Sequence, residues 1–156
     1  MAEGGELLEL IGLDSGTQSV AVRLLSTGPS FTGVSGRYFD AEIRIRSDFV
    51  NASVRTGIFD EDIEEWGLLL DALEEVMDEA SEDDASEEDD DEVFSGDWPR
   101  EGRTAYLRFV AEDPLVVEVR DAPGTGIRVQ VPLALDDDWI AEARVRLRAV
   151  REALEA

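Results

Sequence analysis

The 156-residue sequence contains no cysteine, no histidine and, although it has 14 basic residues, no lysine. The first two absences exclude disulfides, thiol nucleophiles, imidazole bases and the usual zinc, copper, haem and iron–sulfur ligands. Without lysine, Ser-Lys dyads and P-loop phosphate sites have no amine to use, and Gly124-Thr125-Gly126 falls between two strand patterns rather than before a helix. No run approaches the roughly 20 consecutive apolar residues of a membrane-spanning helix. The opening Met1-Ala2-Glu3-Gly4-Gly5-Glu6 has neither the basic region nor the apolar core of a secretory signal. These absences lead us to expect a cytoplasmic, non-membrane protein.

What is abundant is negative charge: 38 acids against 14 arginines give a net charge of −24. The excess is local. Residues 60–97 carry 20 acids and no base, whereas the segments on either side are each within two charges of neutrality. Such a field disfavours nucleic acid and anionic membranes and favours a basic protein, whose association it accelerates.

Apolar residues make up 43% of the chain, enough for one core, and residues 1–156 are expected to form a single domain. Phe39, Ala41, Ile43 and Ile45 alternate with Asp40, Glu42, Arg44 and Arg46, which predicts a strand. The same period marks Val20 to Leu24, Val50 to Val54, Ala105 to Phe109, Leu115 to Val119 and Ile127 to Leu133. From Asp60 the period becomes helical, with Ile63, Trp66, Leu70, Leu73 and Met77 on one stripe behind an acidic opening. A second helix opens at Asp136-Asp137-Asp138 and carries Ile140, Ala143, Leu147, Val150 and Leu154. Between the halves, residues 81–97 read as an acidic, solvated loop. The pattern predicts an α+β fold, an antiparallel sheet of about six to seven strands in two meanders, with two helices packed on one face.

Three readings compete for the acidic segment: a solvated linker, a metal site, and a surface for a basic protein. The spacing lacks the alternating ligands, turn glycine and terminal glutamate of a calcium loop, so no metal or cofactor is expected. Only Glu64, Glu65, Asp71, Glu74, Glu75, Asp78 and Glu79, on the helix, would be held rigidly; Asp89, Asp90 and Asp91 in the solvated loop complete the candidate surface for a basic partner. On the sheet, Arg44, Arg46, Arg55, Arg108, Arg120 and Arg128 point to a second surface, since arginine makes planar bidentate contacts. That alternation also arises on any wet sheet face. Paired carboxylate catalysis needs a pocket that separates two pKa values, and these acids sit on a helix face, in the tract or at helix starts, so no enzyme is expected. Trp66 and Trp139 are expected as core anchors. Arg144, Arg148 and Arg151 share a helix face that can meet the acids of the first helix.

The segments Phe39 to Arg46, Phe49-Val50-Asn51, Asp60 to Trp66 and Leu70 to Leu73 resemble an uncharacterised family of small acidic actinobacterial proteins, loosely similar to the immunity proteins of WapI-type polymorphic toxins. That resemblance involves residues 7–80 and 103–154 and implies a protein that binds and blocks a toxin domain. The expectation is therefore a noncatalytic module of immunity or inhibitor type, engaging a basic protein through the acidic helix and loop. The alternative is an accessory subunit that assembles through the arginine-bearing sheet face.

Overall fold

The computed structural model describes residues 8–25, 31–33, 36–82, 94–99, 105–112, 114–121 and 124–155. Strand β1 (Leu8–Asp14) turns through Ser15 to Gln18 into β2 (Ser19–Leu24). Gly16 adopts a φ of 99° in that turn, where its amide donates to the Asp14 carboxylate at 2.8 Å. The short β3 (Phe31–Gly33) precedes the long β4 (Gly36–Arg46), which pairs through a tight turn with β5 (Asn51–Phe59). Ser47 holds the turn, since its hydroxyl donates to the Val50 carbonyl and accepts from the Phe49 and Val50 amides. Helix α1 (Asp60–Glu82) follows directly.

The second half repeats the plan. Strands β6 (Ser95–Trp98), β7 (Tyr106–Val110), β8 (Leu115–Arg120) and β9 (Arg128–Leu133) form an antiparallel meander, and α2 (Trp139–Glu155) closes it. The class is thus α+β, with two helices and two antiparallel sheets. Nine strands in total divide into a five-stranded sheet, with β4 paired to β2, β3 and β5, and a four-stranded sheet.

Alternation decides which side of each sheet turns inward. Val20, Val22 and Leu24, Phe39, Ala41, Ile43 and Ile45, and Leu107, Phe109, Val117 and Leu133 are all buried. The inner faces of the two sheets meet across a small apolar cleft of about 230 Å³, walled by Ile43 and Val54 on one side and Val119 and Val129 on the other. Hydrogen bonds also join the two halves: Gln18 Nε2 donates to the Pro132 carbonyl at 2.6 Å, and the Thr56 hydroxyl to the Ala105 carbonyl at 2.7 Å.

The helices complete the core. Ile63, Trp66, Leu70 and Leu73 of α1 are buried, and Trp66 lies 5.3 Å from Phe109 and 6.0 Å from Trp98, ring centre to ring centre. Trp98 Nε1 donates to the Asp62 carbonyl at 2.7 Å, tying β6 to the start of α1. The stripe of α2, Ile140, Ala143, Leu147, Val150 and Leu154, is buried as its spacing predicts, with Trp139 at its head. Arg37 at the start of β4 binds Asp60 through both its backbone amide and its guanidinium, and its Nη1 donates to the Leu154 carbonyl, so one side chain spans the start of α1 and the end of α2.

Of the loop expected over 81–97, residues 81–82 end α1 and 95–97 belong to β6. Residues 83–93 lie outside the described residues.

Candidate functional site

Helix α1 turns its apolar stripe into the core, and this leaves Glu61, Glu64, Leu68, Asp71, Glu75 and Asp78 exposed on the opposite side. Leu68, 66% exposed, stands among these carboxylates. Two of the expected site acids are already engaged: Arg144 Nη2, from α2, donates to Asp71 at 2.7 Å and to Glu74 at 2.8 Å. These bonds hold the Arg144 pKa above the ordinary guanidinium value, Glu74 contributing most and Asp71 next. Glu65 is half-buried at a groove of about 470 Å³, where it faces Asp97, Trp98 and Arg108. The side chain of Glu79, and Asp89, Asp90 and Asp91 altogether, lie outside the described residues. The acidic helix surface therefore comprises Glu64, Glu75 and Asp78 around Leu68, with Asp71 and Glu74 at its α2 border.

The arginines expected on one sheet face do not share it. Because the inner faces of the two sheets look at each other, their outer faces point apart: Arg44, Arg46 and Arg55 lie on the first, Arg108, Arg120 and Arg128 on the second. The second face is internally neutralised. Arg108 forms a bidentate pair with Asp97, its partner across β6 and β7, at 2.7 and 3.1 Å. Glu118 sits beside Arg108 in register, accepts from Gln130 Nε2 at 2.7 Å and from Arg120 Nε at 2.8 Å, and is only 8% exposed. Arg120 also donates to the Tyr106 hydroxyl at 3.1 Å. The Gln130 hydrogen bond, followed by the Arg120 and Arg128 charges, outweighs burial and holds the Glu118 carboxyl below its ordinary pKa of 4.5. Arg108 and Arg120 are thus building elements, and Arg128 alone of the three is exposed.

The first sheet's outer face is arranged otherwise. Cross-strand register lines up Glu9, Arg23, Glu42 and Arg55 in one row, Ala21, Arg44 and Ser53 in the next, and Ser19, Arg46 and Asn51 in a third. Among the described residues Arg44, Arg46 and Arg55 form no ion pair within 4.0 Å.

Residue periodicity did not single out Asp97, Glu118 or Asp60 for the roles they hold. The signal exists, since Asp97 and Glu118 both stand directly opposite Arg108, but it becomes visible only once the strands are in register. Among the described residues no group of three or more acids gathers closely enough to hold a metal ion, and no helix is long and apolar enough to cross a membrane.

Fold and surface together define an α+β protein of two antiparallel sheets, each followed by a helix, with exposed acids along the first helix and, among the described residues, arginines without ion-pair partners on the outer face of the first sheet. Residues 8–89 and 90–155 match a family described as a family of unknown function (DUF5959), and the chain belongs to that family. The two matched stretches meet inside the acidic tract, at the junction of the two halves. No curated protein matches the chain.

Proposed function

We propose that the protein is a noncatalytic, cytoplasmic binding module of immunity or inhibitor type, which engages a basic protein partner through the acidic side of α1 and the loop after it. The observation that carries this reading is the surface of Glu64, Glu75 and Asp78 around the exposed Leu68, within a 60–97 segment that holds 20 acids and no base. Carboxylates fixed on a helix steer a cationic partner toward one side of the molecule, and the exposed leucine supplies apolar area at the point of arrival. The likeness to the immunity proteins of WapI-type toxins supports the same reading, with a toxin domain as the partner.

The test is affinity purification of the tagged protein from its own host at about 0.15 M and about 1 M salt, where the shorter screening length weakens exposed charge pairs. A basic, stoichiometric companion is expected at the lower salt and absent at the higher. The Glu64→Gln/Glu75→Gln/Asp78→Asn variant should retain it poorly even at 0.15 M. An unchanged companion in that variant would remove α1 from the interface.

A second reading rests on Arg44, Arg46 and Arg55, which stand without ion-pair partners on the outer face of the first sheet among the described residues. An accessory subunit of a larger assembly would use that face. It predicts association that survives about 1 M salt and is lost on reversal of Arg44 and Arg46 to glutamate.

A further inference from the structure

Where the C-terminal half of α1 approaches the β7–β8 turn and the segment joining β9 to α2, the surface forms an open groove of about 920 Å³. Its rim is made by Glu74, Asp78, Glu112, Asp136, Asp137 and Asp138, all exposed, and among the described residues no arginine lines it. Its floor is apolar: Met77 and Leu135 are half-buried, and Leu115 and Trp139 lie beneath them. We infer that this groove receives a basic segment of the partner protein, one that carries apolar side chains between its arginines or lysines.

Charge complementarity selects that occupant. Six carboxylates, with no lining base among the described residues, make the rim a site for cations, and the apolar floor is dehydrated only by apolar groups. A single metal ion does not match this distribution, because among the described residues no three acids converge on one point. The negative charge is spread along the groove, so it fits a row of cationic side chains rather than one ion. The molecule already shows the contact at one edge: Arg144 reaches Glu74 from outside the groove at 2.8 Å, a guanidinium on a rim carboxylate. A partner's guanidiniums would make the same contact with Asp78, Glu112 and Asp137.

The inference rests on the basic-partner reading above and adds where the partner's segment lies and what chemistry it carries. Two fluorescein-labelled peptides of equal length and equal arginine content test it, one with leucines and the other with serines between the arginines, titrated onto the full chain by fluorescence anisotropy. The leucine peptide should bind about tenfold more tightly than the serine peptide. Asp78→Asn/Glu112→Gln/Asp137→Asn should weaken the leucine peptide about tenfold, whereas Asp48→Asn/Glu142→Gln/Glu152→Gln, an equal charge change at exposed positions outside both the groove and the acidic side of α1, should alter it less than about twofold.

Equal losses in the two variants, or equal affinity for the two peptides, would overturn the groove while leaving a salt-sensitive attraction to basic proteins intact. Failure of the leucine peptide to bind would also overturn the groove, and the salt-dependent capture of the whole partner would then decide the broader reading on its own.

Discussion

Each half is an antiparallel sheet, of five strands in the first and four in the second, followed by a helix opened by acids, yet the outer sheet faces use charge in opposite ways. In the second half the outer sheet face is a closed network, Asp97 with Arg108, Glu118 with Gln130 and Arg120, and Arg120 with Tyr106. In the first half Arg44, Arg46 and Arg55 have no such partner among the described residues, and Glu64, Glu75 and Asp78 face solvent. The second helix even lends cations to the first half, with Arg144 on Asp71 and Glu74 and Arg146 3.8 Å from Glu9. One backbone arrangement therefore serves two purposes. Charges on the outer face of the second sheet hold the molecule together, and those left unpaired on the first sheet and the first helix are available to something outside it.

The largest effect should come from treating the halves as separable. Both contribute to one continuous core, and Phe109 of β7 lies against Trp66 of α1. Phe109→Ala should cost about 3–5 kcal/mol, and both halves should unfold in a single transition in urea, followed by tryptophan fluorescence and far-UV circular dichroism. Separate transitions would divide the chain into two units.

A smaller effect distinguishes the two central tryptophans. Trp98 Nε1 donates to the Asp62 carbonyl, whereas Trp66 Nε1 is buried without a partner among the described residues. Both substitutions to phenylalanine lose packing, but only Trp98→Phe also removes a hydrogen bond, the one that ties β6 to α1. It should therefore cost about 1–3 kcal/mol more than Trp66→Phe in the same denaturation experiment.

The closed network carries a pH signature. Because the folded Glu118 pKa lies below its ordinary 4.5, the unfolded chain binds more protons in that interval. The stabilisation is complete above about pH 4.5 and is lost as the pH falls through the folded value. Glu118→Gln should lower stability at neutral pH by about 1–2 kcal/mol and flatten the acid limb of the stability curve below pH 4.5. A variant with an unchanged acid limb would show that other carboxylates govern it. The smallest effect is expected at the surface pair: Arg144→Gln should cost less than about 1 kcal/mol of stability while it frees Asp71 and Glu74, and should strengthen binding of a basic peptide up to about threefold.

Periodicity made the main elements legible. The alternation of Phe39 to Ile45, the paired run to Val54 and the stripes of both helices predict their elements because each buries one face against a shared core. Phe31–Gly33 escaped notice as three residues inside a glycine- and serine-rich stretch, and Ser95–Trp98 because Ser-Gly-Asp-Trp has no alternation to display. Both are strands through pairing with a neighbour rather than through their own composition. The division into two sheets was likewise hidden, since apolar faces that turn toward each other and apolar faces under one helical layer leave the same trace in a sequence. For the candidate surface, the excess of acid on α1 was plain, but the engagement of Asp71, Glu74, Arg108 and Arg120 within the molecule depends on long-range neighbours.

The row of Glu9, Arg23, Glu42 and Arg55 bears on how the first sheet assembles as well as on what it presents. A slip of β4 by one residue would turn Ile43 and Ile45 to solvent, an error the core rejects. A slip by two keeps every apolar residue inward and escapes that check. In one direction, however, it moves Arg44 into the position of Glu42, between Arg23 and Arg55, and sets three guanidiniums side by side where signs had alternated. The charges on the wet face thus proofread an alignment to which the oily face is blind.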